Sequence, residues 1–204
     1  MNEAGATRGP YSNGVARRAQ IVAAAAGVFA RYGYRSGTLR QIALEVGVTP
    51  AALTRHFDNK EDLLTSVVTY WRQQTDLLID PNAEGIEFFG QLRGLVRFHV
   101  DNRGYLELFL ALSIEAVDTA HPAAAFIRER YAQTLARFSR HLRLAIAHGD
   151  ARPMTDAEID FECRSLIAYL DGIELQWLLN PAIDLVDNVD RHLDNAVASW
   201  GATS

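Results

Sequence analysis

Apolar residues recur every three or four positions along nearly the whole chain, and alternating runs flanked by hairpin turns are missing. A period near 3.6 lines one face of a helix, whereas a half-buried strand needs a period of two. The chain is therefore expected to be all-α. A first helix is placed at about Val15 to Tyr32, with Ile21, Ala25, Val28, Phe29 and Tyr32 facing inward and Gly33 as its C-terminal cap. Thr38 can cap a second helix, Leu39 to Val46, that turns Leu39, Ile42, Ala43 and Val46 inward and ends at Gly47. Thr49 caps a third, with Pro50 at its first position, where a missing amide hydrogen costs nothing, and the helix is expected to reach about His56. Asp58 or Asn59 opens a fourth, whose buried stripe is Leu63, Leu64, Val67, Val68 and Trp71.

Asp80, Pro81 and Asn82 interrupt this pattern, and the helices beyond them lengthen. They are predicted over 83–102, 105–118, 123–148, 156–179 and 184–200. The expected organisation is a disordered N-terminal arm over 1–14, a small helical head over 15–60 and a larger helical bundle over 61–204.

Of the 204 residues, 49% are hydrophobic and 22% charged, a balance that excludes disorder throughout. The longest uncharged run, 19–30, is too short for a bilayer-spanning helix, and no signal peptide is visible. A cytoplasmic location is the expectation. The single cysteine, Cys163, can form neither an intrachain disulfide nor a thiolate zinc site, so no metal or cofactor is expected. Net charge is -5, but it is unevenly spread: residues 1–60 hold eight basic and three acidic side chains, and the remainder twelve and twenty-two. A basic end on an acidic body is what results when one small module faces phosphate and the rest has another task.

The segment LRQIALEVGVTPAALTRHF, Leu39 to Phe57, reads as a helix-turn-helix. Such a motif needs a small residue where its helices touch, a residue tolerant of positive φ at the turn, and aliphatics on both sides. Ala43, Gly47, and Ile42, Val46, Val48 and Leu53 supply these in order. A plain pair of packed helices would use similar residues, but the three-helix setting and the local positive charge favour a helix presented to a DNA major groove. With its flanks, GTLRQIALEVGVTPAALTRHFDNKEDLL resembles the N-terminal domain of TetR-family transcriptional regulators, a resemblance that covers roughly Ala16 to Trp71. DGIELQWLLNP, Asp171 to Pro181, resembles more weakly the end of the penultimate helix in many members.

That resemblance implies a homodimer, a three-helix DNA-binding head, and a helical ligand-binding and dimerisation body whose last two helices pair with those of a second copy. Arg40 matches a position that reaches DNA in the family, and a guanidinium can pair bidentately with guanine. Thr49, Pro50, Ala51 and Ala52 open the recognition helix with short side chains, and Arg55 is its only long cation. Lys60, the only lysine of the chain, sits where free amides at the start of the fourth helix favour a phosphate oxygen. Members usually carry a tyrosine where this chain has Thr54, which is shorter but keeps a hydroxyl for a phosphate, directly or through water. Arg8, Arg17 and Arg18 would add salt-sensitive attraction to the backbone.

Pockets in helical bundles are apolar with a few polar groups. The candidates for contacting a small-molecule effector are Phe89, His99, Tyr105, Phe109, Glu115, Cys163, Tyr169 and Trp177, with Gln176 a further polar possibility. The last two helices carry broad stripes, Ile159, Leu166, Leu170, Ile173 and Trp177, then Leu185, Val189, Leu193, Val197 and Trp200. A four-helix bundle with a second copy would bury both stripes, and burial within one chain is the competing arrangement. The expected activity is that of a repressor: a dimer on a palindromic operator of double-stranded DNA, released by an effector. An enzyme would need a glycine-rich phosphate loop, a paired-histidine metal motif or a nucleophile elbow, and the chain has none of them. A helical adaptor that binds only protein would leave the basic head idle.

Overall fold

A computed structural model of the protein describes residues 10–201, and every regular element among them is an α-helix. The chain divides into two compact units, Met1–Tyr70 and Trp71–Ser204.

The first unit contains α1 (Pro10–Ser36), α2 (Leu39–Val46), α3 (Pro50–Leu53) and most of α4 (Lys60–Asp76). Its core is Ile21, Ala25, Phe29, Ile42, Ala43, Leu53, Phe57, Leu63 and Val67, all at most 1% exposed. α1 starts five residues before the expected Val15, so part of the segment expected to be a disordered arm is helical. Residues 1–9 of that arm, including Arg8, lie outside the described residues. Helical geometry breaks at Gly33 (φ 76, ψ 158), and the kink rotates the residues beyond it relative to the rest of α1. Tyr32, expected inward, is 47% exposed, while Tyr34 is buried edge-on against Phe29 with ring centroids 5.5 Å apart. α2 begins with a reciprocal cap: Thr38 accepts from the Gln41 amide, and the Gln41 side chain accepts from the Thr38 amide at 2.8 Å. α3 is shorter than expected, because 54–56 form hydrogen-bonded turns rather than helix.

The second unit contains the end of α4, then α5 (Gly85–Asp101), α6 (Arg103–Glu115), α7 (Ala124–His148), α8 (Asp156–Leu179) and α9 (Leu185–Trp200). α5 packs against α7 and α9, α8 packs against α7 and α9, and α6 completes the bundle on α8. The core runs from Phe88, Phe89 and Leu92 through Phe138 and Leu142 to Cys163, Leu166, Val189, Leu193 and Trp200. Burying each such aliphatic or aromatic side chain is worth about 1.5–3 kcal/mol. Polar ties fix the register. Arg93 on α5 donates to Asp194 on α9 at 2.6 Å and lies 3.2 Å from Asp190, and the Trp200 indole donates to Glu162 at 3.0 Å. Thr155 and Glu158 form the same reciprocal cap at the start of α8.

The two stripes proposed for contact between copies are largely spent inside one chain. Ile159, Leu166, Ile173, Trp177, Leu185, Val189, Leu193 and Trp200 are at most 8% exposed, and Leu170 and Val197 are half-buried against the same core. The packing of α8 and α9 on α5 and α7 covers them.

Candidate functional site

In the head, the turn between α2 and α3 is fixed from both sides. Gly47 adopts φ 69 and ψ 38, a left-handed conformation that L side chains resist. Its amide donates to the Leu44 carbonyl at 3.1 Å, and the next amide, of Val48, donates to Ala43 at 2.9 Å. Thr49 then closes the start of α3 by accepting from the Ala52 amide at 3.1 Å. With Ala43 and Leu53 fully buried, the opposite sides of the two helices face solvent, and they carry Arg40 and Thr49, Pro50, Ala51, Thr54 and Arg55. Ala52 is half-buried behind them. The Thr54 hydroxyl donates to the Ala51 carbonyl at 3.1 Å, which leaves its oxygen to accept.

Three further cations of the head make internal contacts. Lys60 donates to the Arg35 carbonyl at 3.0 Å and stands 4.4 Å from the centre of the Tyr34 ring, so it ties the start of α4 to the end of α1. Arg18 donates to Ser66 at 2.8 Å and lies over Phe57, and Arg17 donates to Gln20 at 3.1 Å.

The second unit contains a partly open cavity of about 140 Å³. Its walls are Ile79, Phe88, Leu92, Leu95, Phe109, Phe138, Ile167 and Leu170, interrupted by Thr75, Asp76, His99, Arg130, Tyr131, Thr134, Arg137, Asp171 and Glu174. His99 of α5 and Glu174 of α8 are both buried, and Nδ1 of the one lies 2.6 Å from Oε1 of the other. One turn earlier on α8, Asp171 accepts from the Tyr131 hydroxyl at 2.8 Å. Burial pushes the Asp171 carboxyl above its ordinary range, and the Glu174 carboxylate adds to the rise while the Tyr131 bond opposes it. Burial likewise raises the Tyr131 phenol, reinforced by Asp171. On the same lining, Arg137 pairs with Asp76 at 3.6 Å and Arg130 lies 5.1 Å from the centre of the Phe109 ring.

Residues 21–67 match the model of the bacterial regulatory proteins of the tetR family. The match spans the three-helix head and its hinge. Full-length relatives agree: the chain is 27% identical over 196 residues to the HTH-type transcriptional regulator TtgR of Pseudomonas putida, covering 88% of this chain and 89% of that one. The head of this chain is similar to that of the TetR family of transcriptional regulators. The chain is also 30% identical over 113 residues to the HTH-type transcriptional repressor KstR2 of Rhodococcus jostii, a match that spans 55% of this chain and about half, 49%, of that repressor. In fold it is similar to a TetR transcriptional regulator from Chloroflexus aurantiacus, with a TM-score of 0.80 at 19% identity, covering 94% of this chain and 99% of the other. These relatives are named as transcriptional regulators and repressors.

Of the eight effector contacts expected, only His99 and Phe109 line the cavity. Phe89 is fully buried against Phe138 and Trp200, and Cys163 is fully buried in the core, its thiol pushed up by that burial. Tyr105 packs against Trp71, and Trp177 lies under the Arg103 guanidinium. Tyr169 stacks on His192 and donates to the Asn188 carbonyl at 3.1 Å. Glu115 faces His121 at 3.1 Å, and Gln176 is exposed on the outside of α8. Their placement on other neighbours removes each of these from the cavity. Asp171, Glu174, Tyr131 and Arg130 take their place, and a signal for the two acids was present: they interrupt an otherwise apolar stripe at the spacing of buried positions.

Proposed function

We propose that the protein is a repressor that binds a palindromic operator as a homodimer and leaves it when a small molecule enters the cavity of the body. The observation that carries this reading is the exposed surface on α2 and the start of α3, where Arg40, Thr49, Pro50, Ala51, Thr54 and Arg55 stand together on a hinge held by Gly47. Arg40 and Arg55 supply charge and base readout, the Thr49 and Thr54 hydroxyls supply phosphate contacts, and the small residues Ala51 and Ala52 allow close approach. Lys60 contributes by anchoring the end of α1 to α4, and it meets phosphate where its bond to Arg35 is given up.

The dimer uses the outward face of α8. Phe161 (67% exposed), Ala168, Leu175 (42%) and Leu179 (78%) follow one another at helical spacing there, opposite the stripe that the core consumes. A helix apolar on two faces needs two covers, and one chain provides only one. Release follows if the effector binds one conformation better than the other, since a ligand shifts an equilibrium only by its differential affinity. α4 links the two events along the chain: Lys60 stands at its first residue, and Thr75 and Asp76 line the cavity at its other end. The protein acts in the cytoplasm, where its operator lies.

Selection of fragments from random duplex DNA by the purified full-length protein tests the reading. The expected product is an inverted repeat with half-site centres about 34–36 Å apart or a multiple of that spacing. Fragments without a shared sequence, or with a motif lacking two-fold symmetry, would overturn it.

A further inference from the structure

A buried residue of the cavity lining carries a polar atom that the protein leaves unmatched. His99 is 6% exposed, its Nδ1 is engaged by Glu174 at 2.6 Å, and its Nε2 is buried without a hydrogen-bond partner. His99 is also a lining residue of the cavity. A buried polar atom without a partner costs free energy, and an occupant that bonds to it recovers that cost. We propose that the cavity takes an uncharged effector with one substituted aromatic ring and a hydroxyl group, a phenol, whose hydroxyl docks on His99 Nε2. This deepens the effector reading above and rests on it.

Size, polarity and charge all bear on the choice. At about 140 Å³ the space is close to that of an apolar cavity of about 150 Å³ known to hold one benzene ring. Phe88, Leu92, Phe109, Phe138 and Leu170 supply apolar wall for such a ring. In the tautomer that donates Nδ1–H to Glu174, Nε2 is an acceptor, and a hydroxyl is a donor that fits it. Charged heads are disfavoured in both senses. An anion would meet Asp171 and Glu174, and a cation would meet Arg130 and Arg137, all four on the same lining. A hydroxyl carries no net charge and meets neither objection.

Calorimetric titration of the full-length protein with four probes of one shape, 4-ethylphenol, ethylbenzene, 4-ethylbenzoate and 4-ethylbenzylamine, tests the proposal. The phenol is expected to bind about tenfold or more tightly than the hydrocarbon, the loss typical of leaving one buried hydrogen bond unmade, and more tightly than either ion. In His99→Phe the phenol should fall to the level of the hydrocarbon. Equal affinity for phenol and hydrocarbon, or an ion binding tightest, would overturn the docking on His99 while leaving the cavity a small-molecule site. Binding of none of the four would overturn both this proposal and the effector reading. The wild-type series needs no variant, so a misfolded His99→Phe would not protect the proposal.

Discussion

Gly47 holds the hinge of the head at φ 69, where an L side chain is strained whatever space surrounds it. Gly47→Ala should therefore lower the stability of the head by about 1 kcal/mol and weaken operator binding, since α3 would lose its fixed tilt. Thermal denaturation together with DNA titration would measure both effects, and an unchanged melting curve would contradict the assigned strain. In the body, the residue with the clearest pH signature is Asp171. Its carboxyl is raised above the ordinary 3.8, first by burial and then by Glu174. A raised acid holds its proton more tightly folded than unfolded. Its contribution to stability is full below the unfolded value and is lost as pH rises through the folded one, so at neutral pH the ionised group is a burden. Asp171→Asn removes the charge and still offers Tyr131 an acceptor. The variant should melt higher than the parent at about pH 7, with the gap closing as pH falls through the raised value toward and below the ordinary carboxyl range. A gap independent of pH would show that packing, not ionisation, sets the difference.

At the scale of elements, α2 and α3 do one job together. Neither is long enough to be stable alone, and their shared core, Ile42, Ala43 and Leu53, is what presents Arg40 and Arg55 outward. Replacing either arginine with alanine should weaken duplex binding. If the arginine meets phosphate, the salt dependence falls by about one unit of slope for each phosphate no longer neutralised, and affinity drops on all sequences alike. If it meets a base edge, the cost is about 1–3 kcal/mol and discrimination relaxes at one operator position. Binding isotherms at several salt concentrations, on operator and on scrambled DNA, separate the two. Unchanged binding in Arg40→Ala and Arg55→Ala alike would remove this surface as the DNA-facing one. The α1 kink at Gly33 is the element-level feature least visible beforehand, because a glycine after a tyrosine reads equally well as an end or as an interruption.

For the whole molecule, the decisive surface is the outer face of α8. Leu175→Glu combined with Leu179→Glu should convert a dimer into a monomer, measured by analytical ultracentrifugation, and should weaken operator binding while leaving the circular-dichroism melt of the monomer intact. A dimer that survives both changes would place the interface elsewhere. Periodicity and local capping residues specified the helical class, the caps of α2 and α3, and the hinge at Gly47, because these depend on residues within a turn or two of one another. Tyr32, Glu115 and the stripe from Ile159 to Trp177 depart from expectation for one shared reason. A helix announces which residues are apolar, but not which neighbour covers them, nor how a kink rotates one face relative to the next. Only the packing of α5, α7 and α9 against α8 made its inner stripe core and left Phe161, Leu175 and Leu179 outside. The same packing brought His99 to Glu174 across 75 positions of sequence, and no local pattern encodes a pairing at that separation.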